Sequence, residues 1–155
     1  MQSLCTALCY NPCMAINFYT PKFYVFNNFS AHAIEFDGEL YPTSEAAYQA
    51  AKCTDPKGKE EIRNARSPEQ AKVLANKIYG NVKDPEWESK KVDVMEKILR
   101  AKLAQHSEVA EALAQSGDED IVEDSPVDYF WGEGADGTGQ NMLGKLWMKI
   151  RVEHS

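Results

Sequence analysis

Between Asp128 and Gly144 the chain reads DYFWGEGADGTGQNMLG, and this stretch holds five of its nine glycines. Glycine is costly to order and brings no side chain, so a cluster this dense excludes a helix or strand interior. It calls for a loop that turns sharply or lets the backbone approach another group closely. Two readings fit: a turn-rich surface loop, or the wall of a small-molecule site, which needs amides, aromatic faces and a few carboxylates together. Tyr129-Phe130-Trp131 favours the second, because solvated loops seldom carry three consecutive aromatics.

At 155 residues the chain is expected to form one domain with a core large enough to need no staples. Lys and Arg number 17 against 24 Asp and Glu, a formal charge of −7, which disfavours an electropositive track for duplex nucleic acid. A polyanionic partner would need a local basic patch, for which Arg63, Arg66 and Lys72 are the candidates. No apolar run is long enough to span a bilayer. Cys5, Cys9 and Cys13 recur at every fourth position, yet no second cysteine couplet completes a zinc site, and Cys53 stands alone. No lysine or arginine precedes Lys22, so a secretory signal is not expected. Residues 1–14 are read as a mobile extension of a cytoplasmic protein, and residues 15–155 as the folded domain.

Met14 to Tyr19 reads as a short strand ended by Thr20-Pro21, and Phe23 to Phe26 leads into the polar turn Asn27-Asn28. Ala33 to Phe36 and Glu39 to Tyr41 flank Asp37-Gly38, a two-residue hairpin turn. After Pro42 the period becomes helical. Thr43 or Ser44 caps a helix through Lys52; Asp55-Pro56 and Ser67-Pro68 start two more, the latter with a capping box. Asp84-Pro85 starts the longest helix, to about Gln105, with Val92, Met95, Leu99 and Leu103 on one stripe. A helix from Glu108 to Gln115 stops at Gly117, Ile121-Val122 is a strand, and Met142 to about Glu153 is helical. The fold class is α+β: a mainly helical single domain with a small β-sheet.

Glu45, Gln49 and Lys52 stand at i, i+4 and i+7 and therefore share one face of the first helix. Ala46, Ala47, Ala50 and Ala51 around them allow close packing, which would turn that face into a pocket wall; the alternative is a solvated charged face. Trp87, read alone, is a core anchor in the first turn of the long helix. His32, His106 and His154 have no metal-ligand spacing, and no Ser-His-Asp or Cys-His arrangement exists. The glycine loop lacks the Gly-Lys-Ser/Thr ending of a P-loop.

With these groups in place, the chain resembles the YbiA-like, or NADAR, family. The matching pieces are Ile16-Asn17-Phe18-Tyr19, Asn27-Asn28-Phe29-Ser30, Gly38 to Glu45 and Tyr48-Gln49-Ala50-Ala51-Lys52. They continue with Trp87 and Met95, Val122-Glu123, Asp128, Trp131-Gly132-Glu133-Gly134, Gly139 to Gly144, and Arg151. Two departures stand out. Ala46-Ala47-Tyr48 replaces the family's usual His-Tyr-Phe, and Cys53 replaces a Phe.

The resemblance implies a YbiA-like fold and hydrolysis of an N-glycosidic bond. The implied substrate is a phosphorylated ribosylamino-pyrimidine of the early riboflavin pathway, cleaved to ribose 5-phosphate and base. Alternatives are ADP-ribosyl-guanine, which would admit nucleic acid only as an ADP-ribosylated substrate, or a module that binds ADP-ribose without cleaving it. No metal, cofactor or membrane is implied. Glu45 is the first choice for the carboxylate that stabilises oxocarbenium charge at ribose C1 or orients water, and Asp128 the second. Lys52 would protonate the departing amine or capture C1 as a Schiff base. Trp131 with Phe29 would stack on the base. Asn28, Asn141 and the amides around Gly132, Gly134 and Gly139 would bind ribose hydroxyls and phosphate, helped by the last helix's N-terminus. Tyr48, Gln49 and Trp87 complete the expected binding set.

Overall fold

The computed structural model describes residues 15–18 and 20–155. The N-terminal extension read from residues 1–14, with Cys5, Cys9 and Cys13, lies outside the described residues, as does Tyr19.

The fold is built around one short helix. Helix α1 (Ser44–Lys52) begins at Thr43, whose Oγ1 accepts from the Ala46 amide at 3.1 Å. It packs against α2 (Pro56–Arg63), α3 (Pro68–Val73) and α4 (Trp87–Gln105). Ala46, Ala47 and Ala50 are buried, and their small side chains let three helices approach it closely. Asp55 and Ser67 cap α2 and α3 through the Gly58 and Gln70 amides, both at 3.0 Å. The reciprocal bond of the capping box reaches one residue further back than expected: Gln70 Oε1 accepts from Arg66 N at 2.6 Å.

Two differences from the sequence reading follow α3. The chain winds into a wider π turn over Leu74–Ile78 before a 3-10 turn at Gly80–Val82. Asp84-Pro85 does not open α4. Asp84 instead forms a turn that accepts from Glu86 N at 2.9 Å and Trp87 N at 3.0 Å, and the helix starts at Trp87.

Among the described residues the strands form two separate pairs. Strands β2 (Ile34–Phe36) and β3 (Glu39–Tyr41) form the expected hairpin, with Ile34 opposite Tyr41 and both Asp37 and Gly38 at positive φ. Its outer edge is closed by Gln105, which accepts from Glu35 N at 2.8 Å and donates to Glu35 O at 2.9 Å. Strands β1 (Ile16–Asn17) and β4 (Ile121–Val122) pair in parallel across the length of the chain. Helices α5 (Ser107–Gln115) and α6 (Met142–His154) enclose the core from the side of β4. Trp147 of α6 is fully buried against Phe26, ring centroids 5.1 Å apart, and its indole N–H donates to Phe26 O at 3.1 Å. That bond fixes the 3-10 turn Pro21–Phe26 and the polar strap 27–30 that follows it.

Candidate active site

A cavity of about 610 Å³ opens where α1, the strap, α3 and the glycine loop meet. Helix α1 supplies Glu45, Tyr48, Gln49 and Lys52; the strap supplies Asn27, Asn28 and Phe29; α4 contributes Met95. Glu69, Lys72 and Asn76 line it from α3 and the π turn, and Glu123, Ser125, Asp128 and Trp131 from the segment after β4. The α1 face read from its i, i+4, i+7 spacing is thus a pocket wall and not a solvated surface.

Glu45 is 8% exposed in the first turn of α1, and Gln49 Nε2 donates to its Oε1 at 2.7 Å. Burial pushes its carboxyl above the ordinary carboxylate range, against the Gln49 hydrogen bond and the nearby Lys72 and Lys52 charges, while Asp128 adds to the rise. Lys52 is half-buried, and burial moves its ammonium the other way, downward, against the pull of Glu45. Its Nζ donates to Asn76 Oδ1 at 3.0 Å and lies 5.6 Å from the centre of the Tyr48 ring. Burial therefore works against the charged form of each group, raising the carboxyl and lowering the ammonium. The Tyr48 phenol is pushed up to about 12 by burial and remains protonated.

The glycine loop is a self-bonded scaffold that presents Trp131. Asp128 Oδ1 accepts from Phe130 N at 3.0 Å and Trp131 N at 2.8 Å, which locks the loop's first turn. Trp131 then stands edge-on to Tyr48 at 5.7 Å, and Trp87 backs Tyr48 at 5.1 Å. Asp128 lines the cavity, but one of its oxygens already serves the loop, whereas Glu45 has a single side-chain donor.

Five expected contacts need correction. Gly132, Gly134, Gly139, Asn141 and Trp87 do not line the cavity. The Gly139 amide donates to Glu133 O at 2.7 Å, and the amides of Met142 and Leu143 donate to Phe130 O and Trp131 O at 3.0 and 3.1 Å. An anion cannot use amides that the loop itself has taken, so the Met142 and Leu143 amides that open α6 are closed to phosphate. Asn141, at φ 49°, ties the loop to β4: its Oδ1 accepts from Glu123 N and its Nδ2 donates to Ile121 O, both at 2.9 Å. A β-carbon on Gly139 would lie 2.4 Å from Gly132 O, so this glycine serves close backbone approach. Trp87, 2% exposed, is a core anchor.

The sequence reading missed Glu123 as a cavity residue. It is 8% exposed and lines the cavity. Its signal was available: Ile121 and Glu123 share the inward parity of an extended segment, and an acid at such a position is unusual. Lys72 and Asn76 were also not placed there, because the π turn that swings Asn76 inward has no sequence mark. The candidate basic patch does not form as such: Arg63 pairs with Glu39 at 2.8 Å, while Lys72 faces the cavity. Ala46, where the family usually carries histidine, is buried in the core and does not line the cavity. No described helix is long and apolar enough to cross a membrane.

Residues 14–153 match the model of the NADAR domain. Over 143 residues the chain is 41% identical to the N-glycosidase YbiA of Shigella flexneri serotype 5b (strain 8401), covering 89% of this chain and 87% of that one. It is 35% identical over 145 residues to the chloroplastic riboflavin biosynthesis protein PYRR of Zea mays, which takes in 84% of this chain but 23% of the maize protein. The NMR structure of Escherichia coli YbiA superposes with a TM-score of 0.82 at 39% identity, covering 92% of this chain and 85% of the other.

Proposed function

The chain belongs to the NADAR family as an N-glycosidase, and from that premise we propose that it hydrolyses a phosphorylated ribosylamino-pyrimidine of the early riboflavin pathway. Water adds to ribose C1 as the C1–N bond breaks, giving ribose 5-phosphate and the free base. The observation that carries the reading is the meeting of Glu45, Lys52 and Trp131 around one cavity.

Each group has a use in that reaction. Breaking C1–N builds positive charge on the ribose ring, and the Glu45 carboxylate, desolvated and near C1, stabilises it more strongly than a solvated one would. The departing nitrogen gains a proton from Lys52, whose lowered affinity for that proton suits a donor. The same lowering also suits attack of the neutral amine on C1 of the opened sugar, which expels the base as its C1–N bond breaks and leaves a Schiff base that water then hydrolyses to ribose 5-phosphate and the free lysine. Trp131 and Phe29 stack on the pyrimidine, a contact worth about 1–3 kcal/mol. Lys72, at the mouth, meets the 5-phosphate as a point charge. A phosphorylated sugar does not cross membranes unaided, which supports work in the compartment that makes it, here read as the cytoplasm.

The relationship to a riboflavin biosynthesis protein favours this substrate over ADP-ribosyl-guanine. The test is release of ribose 5-phosphate, followed by mass spectrometry, from pyrimidine ribosylamines and, in parallel, of ADP-ribose from ADP-ribosyl-guanosine. Glu45→Gln is expected to lower turnover by about 10²–10³ with the fold retained. Cleavage of the guanosine conjugate alone would overturn the substrate assignment, and full activity of Glu45→Gln would remove that carboxylate from the mechanism.

A further inference from the structure

Asn28 and Gln49 line the cavity at 6% and 3% exposure. In both, the donor end of the amide is tied to the protein. Asn28 Nδ2 points to Met95 Sδ at 3.3 Å, and Gln49 Nε2 donates to Glu45 Oε1 at 2.7 Å. Neither amide gains by turning over: a thioether sulfur has no hydrogen to give, and an ionised Glu45 can only accept. Their acceptor ends, Asn28 Oδ1 and Gln49 Oε1, are buried and find no hydrogen-bond partner among the described residues. A buried acceptor left unpaired costs about 1–3 kcal/mol, so two in one wall call for a common external donor.

We infer that Asn28 Oδ1 and Gln49 Oε1 form a subsite that reads the two ribose hydroxyls, Gln49 taking the 2-hydroxyl and Asn28 the 3-hydroxyl. The assignment follows from connectivity and rests on the phosphoribosyl reading above. Gln49 is bonded to Glu45, which acts at C1, and C2 is the adjacent carbon. Asn28 is held beside Glu45 through its backbone, its carbonyl O accepting from Glu45 N at 3.0 Å, and its side chain is left for the next hydroxyl, at C3. A base stacked on Trp131 leaves these two acceptors to the sugar. The subsite thus makes the protein selective for ribose over 2-deoxyribose, because a sugar without the 2-hydroxyl leaves Gln49 Oε1 buried and unpaired.

Calorimetry on the full chain with ribose 5-phosphate, 2-deoxyribose 5-phosphate and xylose 5-phosphate, inverted at C3, tests this without relying on turnover. The 2-deoxy sugar is expected to bind about 10- to 100-fold more weakly than ribose 5-phosphate, and the xylose form to be disfavoured similarly through Asn28. In Gln49→Met, with folding checked by thermal melting, the 2-deoxy penalty should vanish while the C3 penalty stays. Equal affinity for ribose and 2-deoxyribose phosphates in the unaltered protein overturns the inference and leaves the N-glycosidase reading standing. Failure of all three sugar phosphates to bind overturns the phosphoribosyl reading, and the subsite falls with it.

Discussion

Lys102 is wholly buried, an unusual place for a lysine, and its burial has a measurable consequence. Its Nζ donates to Asn27 O at 3.0 Å and to Ser30 Oγ at 2.7 Å, so it clamps the strap that carries Asn28 and Phe29. Ser30 Oγ lies 2.8 Å from His32 Nδ1, and His32 Nε2 meets the Glu108 carboxylate at the surface. Burial lowers the Lys102 ammonium from 10.5 to about 7, with Glu108 opposing the fall. At about 1.36 kcal/mol per pH unit, that fall is worth about 5 kcal/mol. The two acceptors favour the ammonium form, so this figure is a ceiling.

The sign is set by proton counts. Below pH 7 the lysine is charged in both states and the fold bears the full penalty. As pH rises through about 7 the folded protein releases the proton while the unfolded chain keeps it to about 10.5, so stability climbs across that window. Above it both states are neutral and the climb ends. Urea denaturation of the unaltered protein and of Lys102→Met, from about pH 6 to about pH 11, isolates the effect because titrations common to both cancel in the difference. The stability difference should be level below pH 7, rise by about 1.4 kcal/mol per pH unit at its steepest, and level off again. A difference that stays flat throughout would mean that Lys102 remains an ammonium in the fold and that the desolvation argument is wrong.

Two further outcomes are expected. Gly144→Ala would put a β-carbon 2.0 Å from Ile121 O and 2.5 Å from Asn141 Nδ2. It should destabilise the protein by about 3 kcal/mol, the upper end for overpacking, and an unchanged melting temperature would show that α6 slides freely past β4. The acid limb of kcat/KM should lie above the ordinary carboxylate range, because burial raises Glu45 and its working form is lost as pH falls through that higher value. Lys72→Met should move this limb higher still, since the Lys72 charge opposes the rise; a limb that does not move would detach it from Glu45.

Interactions that span a few residues were legible from the order of amino acids. Thr43, Asp55 and Ser67 sit as caps where their side chains and the following prolines or acids indicate, and Asp37-Gly38 turns the hairpin as its dihedral freedom requires. The grouping of Glu45, Gln49 and Lys52 on one face is likewise helical geometry, which acts over two turns and needs no other element. Long-range packing settled the rest. The parallel pairing of Ile16 with Ile121 leaves no local trace, nor does the burial of Lys102. The glycine loop is the clearest case. Its composition signals close backbone approach, and that approach occurs, but toward its own carbonyls and β4, because the competing acceptors come from residues such as Glu123 and Ile121 that only folding brings alongside. A residue's neighbours in sequence govern its backbone torsions; which surfaces exclude water, and so where charges are desolvated and donors run short, depends on segments that meet from a hundred residues apart.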